Sequence, residues 1–348
     1  MLMKGNEAIC KAAIRAGCKA YFGYPITPQN EITEYMAAHM EQAGGVWVQA
    51  ESETAAINMV YGAVAVGVRA MTSSSSPGIA LKQEGISFLA GADLPCLIVN
   101  ITRAGPGLGG ILPSQADYFQ VTRGGGNGDY FTPVYAPYSV QELADLTQHA
   151  FHVADRYRTP VMLLADGILG QMMEPAEIHD APIAECDKSW VADGEGDRPR
   201  NIITSIDLSG ERLETMNLQR MERYKQILEN EVMVESSIQE GDEVAIVAYG
   251  LSARIVLDSI AKLRDEGIKV GLIRPITLWP FPSHAFIDLP KSVKHILVAE
   301  LSMGQMIEDV RLAVMDRYPV HFYGRTGGMV FEPYEVVDKV RAIIQEER

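Results

Sequence analysis

Two stretches of this chain switch repeatedly between short apolar runs and segments of helical period, and that alternation constrains its fold more than any single motif. From Gly5 to Gly170 the strand-like runs are Tyr21–Tyr24, Val46–Ala50, Arg69–Ser73, Pro95–Thr102, Val134–Ala136 and Pro160–Ala165. Parallel strands are covered on both faces and so read as continuous apolar runs, and each needs a long crossover, usually a helix, to reach the next. A second alternation starts at Glu243–Ala248. It passes through Ser252–Glu266, Val270–Ile273, His295–Ala299, Gln305–Met315 and Val320–Tyr323, and closes in a helix after Pro333. The expected fold class is α/β, with two parallel-sheet units. Between them Pro175–Asp242 is polar and acidic, with one helix from about Arg212 to Glu231, and reads as a linker arm. We place the units at residues 1–185 and 241–348 and the arm at 186–240.

Local signals mark candidate positions inside the first unit. Thr27 precedes Pro28, the pattern of a helix N-cap with proline at the first helical position, and the helix would run through Ile32, Met36 and Met40. A helix N-terminus also attracts anions, so a cap and an anion contact are both open to Thr27. Glu53 follows the apolar run Val46-Trp47-Val48 and opens an Ala/Val/Met-rich helix reaching about Val66. A carboxylate there complements the helix dipole, or serves as a proton-sharing acid in a dry pocket. Spacing does not separate these readings, and Glu51 is the local competitor. Arg103 follows the strand Pro95–Thr102 and opens a Gly-rich loop, which puts a guanidinium where ligands of open parallel sheets bind, or simply in water. Ser139 and Glu142 have the spacing of a capping box ahead of a helix near Val140–Tyr157.

The 348 residues give two domains ample core, and 47% of them are hydrophobic. A net charge of -15 excludes nucleic acid as a natural partner, because a phosphate backbone would be repelled. No apolar run reaches membrane-spanning length, and MLMKGNEAIC lacks the layout of a signal peptide, so no membrane association and a cytoplasmic location are expected. Cys10, Cys18, Cys96 and Cys186 form no C-x-x-C pair and read as buried reduced thiols rather than cluster or zinc ligands. His149 and His152, one helical turn apart without a third ligand nearby, read as helix-surface histidines.

Two motifs invite other cofactors. Gly105-Pro106-Gly107-Leu108-Gly109-Gly110 satisfies G-x-G-x-x-G after a strand, but Pro113 and then GGGNGD at Gly124–Asp129 follow it. A dinucleotide needs an apolar-periodic helix there to receive its pyrophosphate, so the segment reads instead as a substrate-gating loop. Asp166-Gly167 reads as a strand end with a turn, and no G-x-x-x-x-G-K-[ST] loop exists.

Taken in order, several motifs carry a resemblance over almost the entire chain. They are Gly5-Asn6-Glu7-Ala8, YPITP at Tyr24–Pro28, ESETAA at Glu51–Ala56, Val60-Tyr61-Gly62-Ala63, TSSSSPG at Thr72–Gly78 and Thr102-Arg103. Asp166–Gly170 and Ile273–Pro280 continue the series. The chain resembles the alpha subunit of the 2-oxoacid:ferredoxin oxidoreductases. The resemblance implies a parallel-sheet, thiamine-binding pyrimidine-type domain followed by a transketolase C-terminal-like α/β domain. It implies that Glu53 activates the aminopyrimidine of thiamine diphosphate by engaging its far ring nitrogen. Thr27 and Arg103 would reach the oxoacid carboxylate and the reacting centre, with Pro25, Ile26 and Thr27 beside the cofactor. Residue 165 is Ala where the magnesium-diphosphate motif of thiamine enzymes has Gly. The diphosphate and its Mg2+ are therefore expected on a beta subunit, and iron-sulfur clusters on further gamma and delta-type subunits that pass electrons to ferredoxin, with coenzyme A taking the acyl group. The loop Gly105–Asp129 would shape the side-chain pocket. RAGPGLGG, DYFQ and GGGNGDY lean toward the branched-chain members, which use 3-methyl-2-oxobutanoate, ahead of 2-oxoglutarate and pyruvate. A thiamine enzyme of transketolase or dehydrogenase type without ferredoxin, and a noncatalytic assembly subunit, are the alternatives.

Overall fold

The structure, a computed structural model, describes residues 1–180, 186–194 and 198–346. The unit boundary placed at residue 185 and arm residues 195–197 lie outside the described residues. The chain begins with β1 (Leu2–Lys4), α1 (Gly5–Arg15), β2 (Ala20–Gly23), α2 (Asn30–His39), β3 (Val46–Gln49), α3 (Glu53–Ala65), β4 (Ala70–Ser74) and α4 (Ser76–Gly91). Next come β5 (Cys96–Thr102), α5 (Tyr118–Thr122), β6 (Val134–Tyr135), α6 (Val140–Tyr157), β7 (Pro160–Asp166), α7 (Gly167–Gln171) and β8 (Met173–Pro175). The arm carries α8 (Gly210–Asn230). After it come β9 (Val234–Ser236), β10 (Val244–Val247), α9 (Gly250–Asp265), β11 (Val270–Pro275) and β12 (Thr277–Trp279). The chain closes with β13 (His295–Glu300), α10 (Met306–Val314), β14 (Val320–Gly324) and α11 (Pro333–Glu346).

Seven strands in the order β12-β6-β7-β5-β4-β2-β3 make the first sheet, which is parallel except for β12. Its centre is the pair β5 and β7, in register from Cys96 opposite Pro160 to Thr102 opposite Asp166, with every residue of both strands buried. The second sheet runs β14-β13-β10-β11-β9, with β9 antiparallel at its edge. Helices α1 and α6 close on each other through small side chains, Ala8, Ala12 and Ala144, with Met3 and Val140 beside them. Burial pushes the Cys10, Cys18 and Cys96 thiols up, Cys18 to about 12, so these three are inert packing groups.

Several local expectations change in three dimensions. Helix α2 starts at Asn30 with Gln29 at its N-cap, so Thr27 is not a cap and Pro28 is not its first residue. The Pro28 carbonyl is taken instead by Asn6 Nδ2 (3.1 Å) and Gln171 Nε2 (3.0 Å), and the Thr27–Pro28 peptide is cis. Ser139 does cap α6, accepting from Glu142 N at 3.1 Å, but Glu142 reaches back to Tyr138 N (3.0 Å) rather than to the cap's own N–H. Asp166 opens the short helix α7 rather than a simple turn, accepting from Ile168 N and Leu169 N at 2.9 and 3.2 Å.

The Ile273–Pro280 motif divides between the sheets. Arg274 on β11 grips Glu142 with two hydrogen bonds of 2.9 and 2.7 Å and lies 4.0 Å above the Tyr138 ring, while β12 crosses to pair antiparallel with β6. There Trp279 stacks on Phe131 at 4.9 Å and meets Tyr224 of α8 edge-on at 5.8 Å, which seats the arm's helix. Arg220 and Arg223 of α8 pair with Asp93, and Glu231 at its end accepts from Tyr157 Oη at 2.7 Å. This covers His149, whose Nε2 lies 3.4 Å from Glu231 Oε2 and 3.2 Å from Tyr135 Oη, so it is half-buried and paired rather than a surface residue. His152 is exposed. Gln115 joins the units: its Nε2 donates to Tyr249 O (2.8 Å), and its Oε1 accepts from Ser252 Oγ (2.5 Å) and Leu301 N (2.9 Å). No helix of the described residues is long and apolar enough to cross a membrane.

Candidate functional site

The carboxyl ends of β2, β3, β4 and β5 deliver the predicted residues to one place, because in a parallel sheet every strand points its following loop the same way. Strand β3 leads through Ala50–Ser52 into α3. Ser52 caps that helix, its Oγ accepting from Ala55 N at 3.1 Å, and Glu53 is the first helical residue, 7% exposed. The positive end of the α3 dipole favours a carboxylate here.

Facing it is the first turn of α4. A methyl group on Gly78 would lie 2.8 Å from Glu53 Oε1 and 2.0 Å from Ser74 Oγ, so only hydrogen fits between the helix and the acid. Glycine costs a helix about 0.5–1 kcal/mol relative to alanine, and here it is what lets the carboxylate sit against the helix backbone. Gly78→Ala should therefore fail to give the usual helical gain, since overpacking costs about 1–3 kcal/mol, and should displace the Glu53 side chain. We expect it to lower turnover by about 10–100-fold, as misplacement of a reacting group does, with a near-wild-type circular dichroism spectrum. Steady-state kinetics of the purified variant checks this, and full activity would mean that Glu53 is free to move.

Two residues earlier in the same turn, Ser76 Oγ accepts from Arg103 N (3.0 Å) and donates to Arg103 O (3.1 Å). That double clasp fixes Arg103 at the end of β5. Its guanidinium donates to Thr27 O and Leu108 O, both at 3.1 Å, while Nε is buried without a partner among the described residues. Glu53, Arg103 and Thr27 are thus connected through one element, the start of α4. Thr27 itself is exposed, its Oγ1 3.5 Å from Asn30 Nδ2; Pro25 is exposed and Ile26 half-buried. Beneath this turn Glu31 accepts from Lys4 (3.2 Å), Asn6 (3.0 Å) and Gln171 (2.7 Å). Burial opposes its charge, but its own backbone N–H and these donors hold its carboxyl below the usual range.

Sequence reasoning missed Lys82 and Asp117, and gave Ser76 and Gly78 no role beyond their place in the TSSSSPG motif. Asp117 is buried and accepts from Asn100 Nδ2 at 2.8 Å; burial pushes its carboxyl up, against the lowering effect of the Asn100 amide. Lys82 is wholly buried, its Nζ donating to Glu53 O at 3.1 Å. The available signal was Ser-Pro-Gly directly after a strand, with proline in the first turn of α4. The Ser74 and Ser75 hydroxyls are buried without partners among the described residues, and such orphaned groups cost about 1–3 kcal/mol each unless something else meets them.

The Gly-rich segment closes on itself above Arg103. Gly110 N donates to Ala104 O (2.8 Å), Ala104 N to Leu112 O (2.9 Å), and Gly109, at φ 59°, lies so near Ala104 O that a Cβ would sit 1.8 Å away. It leads into no helix until Tyr118, so it lacks the N-terminus a pyrophosphate needs. Leu108 at its tip is 81% exposed. The GGGNGD part lies apart from this, against α4, where a Cβ on Gly126 would be 2.5 Å from Gln83 O.

The arrangement belongs to an α/β chain built on two largely parallel sheets. A split-gene transketolase, described as an inactive beta4 tetramer, superposes with a TM-score of 0.61 over 99% of both chains at 14% identity, a likeness of fold alone. The chain belongs to the pyruvate flavodoxin/ferredoxin oxidoreductase, thiamine-diphosphate-binding family, which it matches over residues 11–254, and residues 242–336 match the pyruvate:ferredoxin oxidoreductase core domain II. The ketoisovalerate oxidoreductase subunit VorB of Methanothermobacter thermautotrophicus is 48% identical over 343 residues, covering 98% of this chain and 97% of that one. The 2-oxoglutarate synthase subunit KorA of Methanocaldococcus jannaschii is 35% identical over 363 residues, covering 96% and 97%. Among solved structures, a 2-oxoglutarate:ferredoxin oxidoreductase from Magnetococcus marinus with 2-oxoglutarate, coenzyme A and succinyl-CoA bound gives a TM-score of 0.87 at 26% identity over 98% of this chain. This chain spans 65% of that longer one.

Proposed function

We propose that this chain is the alpha subunit of a 2-oxoacid:ferredoxin oxidoreductase that oxidatively decarboxylates a branched-chain 2-oxoacid, 3-methyl-2-oxobutanoate, to its acyl-CoA and carbon dioxide. The observation that carries the reading is the buried Glu53 carboxylate held against Gly78, with Arg103 clasped by Ser76 of the same turn of α4 and donating in turn to Thr27 O. The residues fit thiamine diphosphate. Gly78 leaves the Glu53 carboxylate room that a Cβ would take, and the nearby Ser74 hydroxyl lacks a partner among the described residues. When bound, thiamine diphosphate supplies the acidic thiazolium carbon through which the 2-oxo carbon is attacked and carbon dioxide is lost.

Glu53, buried at the start of α3, would hold a proton for sharing with a ring nitrogen of the aminopyrimidine. Pro25, Ile26 and Thr27 line the approach. Arg103 orients the oxoacid carboxylate, which matches a planar guanidinium. In this reading residues 1–185 form the pyrimidine-type unit and 241–348 the transketolase C-terminal-like unit, joined by the arm at 186–240. A beta subunit holds the diphosphate and Mg2+, gamma and delta-type subunits carry the iron-sulfur clusters that reduce ferredoxin, and the complex works in the cytoplasm.

The substrate assignment rests on the 48% identity to a ketoisovalerate oxidoreductase subunit against 35% to a 2-oxoglutarate synthase subunit. Its test is kcat/KM of the purified native complex with 3-methyl-2-oxobutanoate, 2-oxoglutarate and pyruvate, coenzyme A and ferredoxin present. We expect the branched-chain acid to lead, and a lead for either other acid would reassign the substrate.

A further inference from the structure

A lysine on a helix normally runs its stem over the surface and leaves its ammonium in water. Lys82 does neither. It is 0% exposed, and its Nζ donates to the main-chain oxygen of Glu53 at 3.1 Å. The place is poor for a cation on two counts: burial strips its hydration, and that oxygen lies in the first turn of α3, the positive end of a helix dipole. Burial accordingly pushes the amine down to about 8, and the charge that opposes this is the Glu53 carboxylate. A methionine would fill the same space without an amine to desolvate.

The position explains the lysine. One helical turn before it, Gly78 touches the Glu53 carboxylate, and i and i+4 share a helix face. Helix α4 thus holds Glu53 at both ends, through glycine at the side chain and lysine at the backbone. We propose that Lys82 is a positioning residue of the reaction, anchoring the main chain of Glu53 so that its carboxylate stays against Gly78. The role rests on the assignment of Glu53 as the activating acid.

The experiment uses the assembled complex carrying Lys82→Met, Lys82→Gln, Glu53→Gln, or Lys82→Met with Glu53→Gln. The first readout needs no cofactor. The amine titrates near 8 in the fold and near 10.5 when unfolded. Between those values the unfolded chain binds more protons, so stability rises with pH across the window and is lost again as pH falls through 8. Lys82→Met should melt higher at neutral pH and lack that rise. Glu53→Gln should move its onset to lower pH, because the opposing charge is gone. The second readout is exchange of the thiazolium proton in the cofactor-loaded complex. Lys82→Met should slow it by about 10–100-fold with the oxoacid KM little changed, and Lys82→Gln, which keeps a donor for the Glu53 carbonyl, should recover part of the loss. Wild-type exchange in Lys82→Met while Glu53→Gln is inactive overturns the role of Lys82 alone. Wild-type exchange in Glu53→Gln overturns the assignment of Glu53 and the role of Lys82 with it. A melting curve for Lys82→Met that keeps the rise, or for Glu53→Gln that keeps the same onset, contradicts the coupling of the two residues.

Discussion

Replacing Glu53 by glutamine is expected to reduce turnover by about 10^2–10^4-fold, the range typical of an essential proton-sharing group. The amide has the shape of the acid, so the space between Gly78 and Ser74 stays filled and the Ser52 cap on α3 is untouched. What it removes is the ability to share a proton with a ring nitrogen. The competing effect is loss of a negative charge from the helix N-terminus, worth about 0.3–1 kcal/mol, which is too small to unfold the chain or to account for such a rate loss. Thiazolium proton exchange in variant and wild-type complexes separates chemistry from assembly. Equal rates would falsify the assignment, and a variant that no longer assembles would show that Glu53 is structural.

Much of the architecture was legible in the sequence because the strands at its centre are buried along their whole length. Cys96–Thr102 and Pro160–Asp166 are apolar runs of one strand length each, and α6 spans Val140–Tyr157 as its cap and periodicity indicate. What escaped was decided by contacts between residues far apart in the chain. Thr27-Pro28 obeys a local capping rule, yet Asn6 and Gln171, 22 and 143 residues from Pro28, claim the carbonyl there and delay the helix to Asn30. Three-residue β12 pairs with a strand some 140 residues earlier, for which no local pattern gives notice.

The site shows the same division. Glu53 and Arg103 were visible because each stands just beyond a strand, where residue type and position agree. Gly78 and Lys82 were not, since a glycine in a helix reads as a weakness and a lysine as a surface group. Their meaning comes only from α4 lying against the start of α3. The resemblance to a thiamine-dependent family supplied roles for Glu53, Thr27 and Arg103; the geometry adds that the three share one organising turn.

Arg103→Lys is the second large effect, and it should not behave as a conservative change. The guanidinium spans two main-chain oxygens, Thr27 O from the β2 loop and Leu108 O from the Gly-rich loop, both at 3.1 Å. An ammonium is a point donor on a flexible stem and cannot hold both while presenting a plane to a carboxylate. Hydrogen bonds to a charged group contribute about 1.5–3 kcal/mol, so losing one in the reacting complex should lower kcat/KM by roughly 10–100-fold. The loss should be similar for 3-methyl-2-oxobutanoate, 2-oxoglutarate and pyruvate, because the 1-carboxylate and the two loops are common to all three. Preference among side chains should survive, since no residue of the Gly105–Asp129 loop is replaced and that loop keeps its own Ala104–Gly110 and Ala104–Leu112 hydrogen bonds. Measuring kcat/KM for each acid in both forms decides the matter. If only 2-oxoglutarate suffers, Arg103 reads a distal carboxylate, and the branched-chain assignment loses its footing together with the role of this residue.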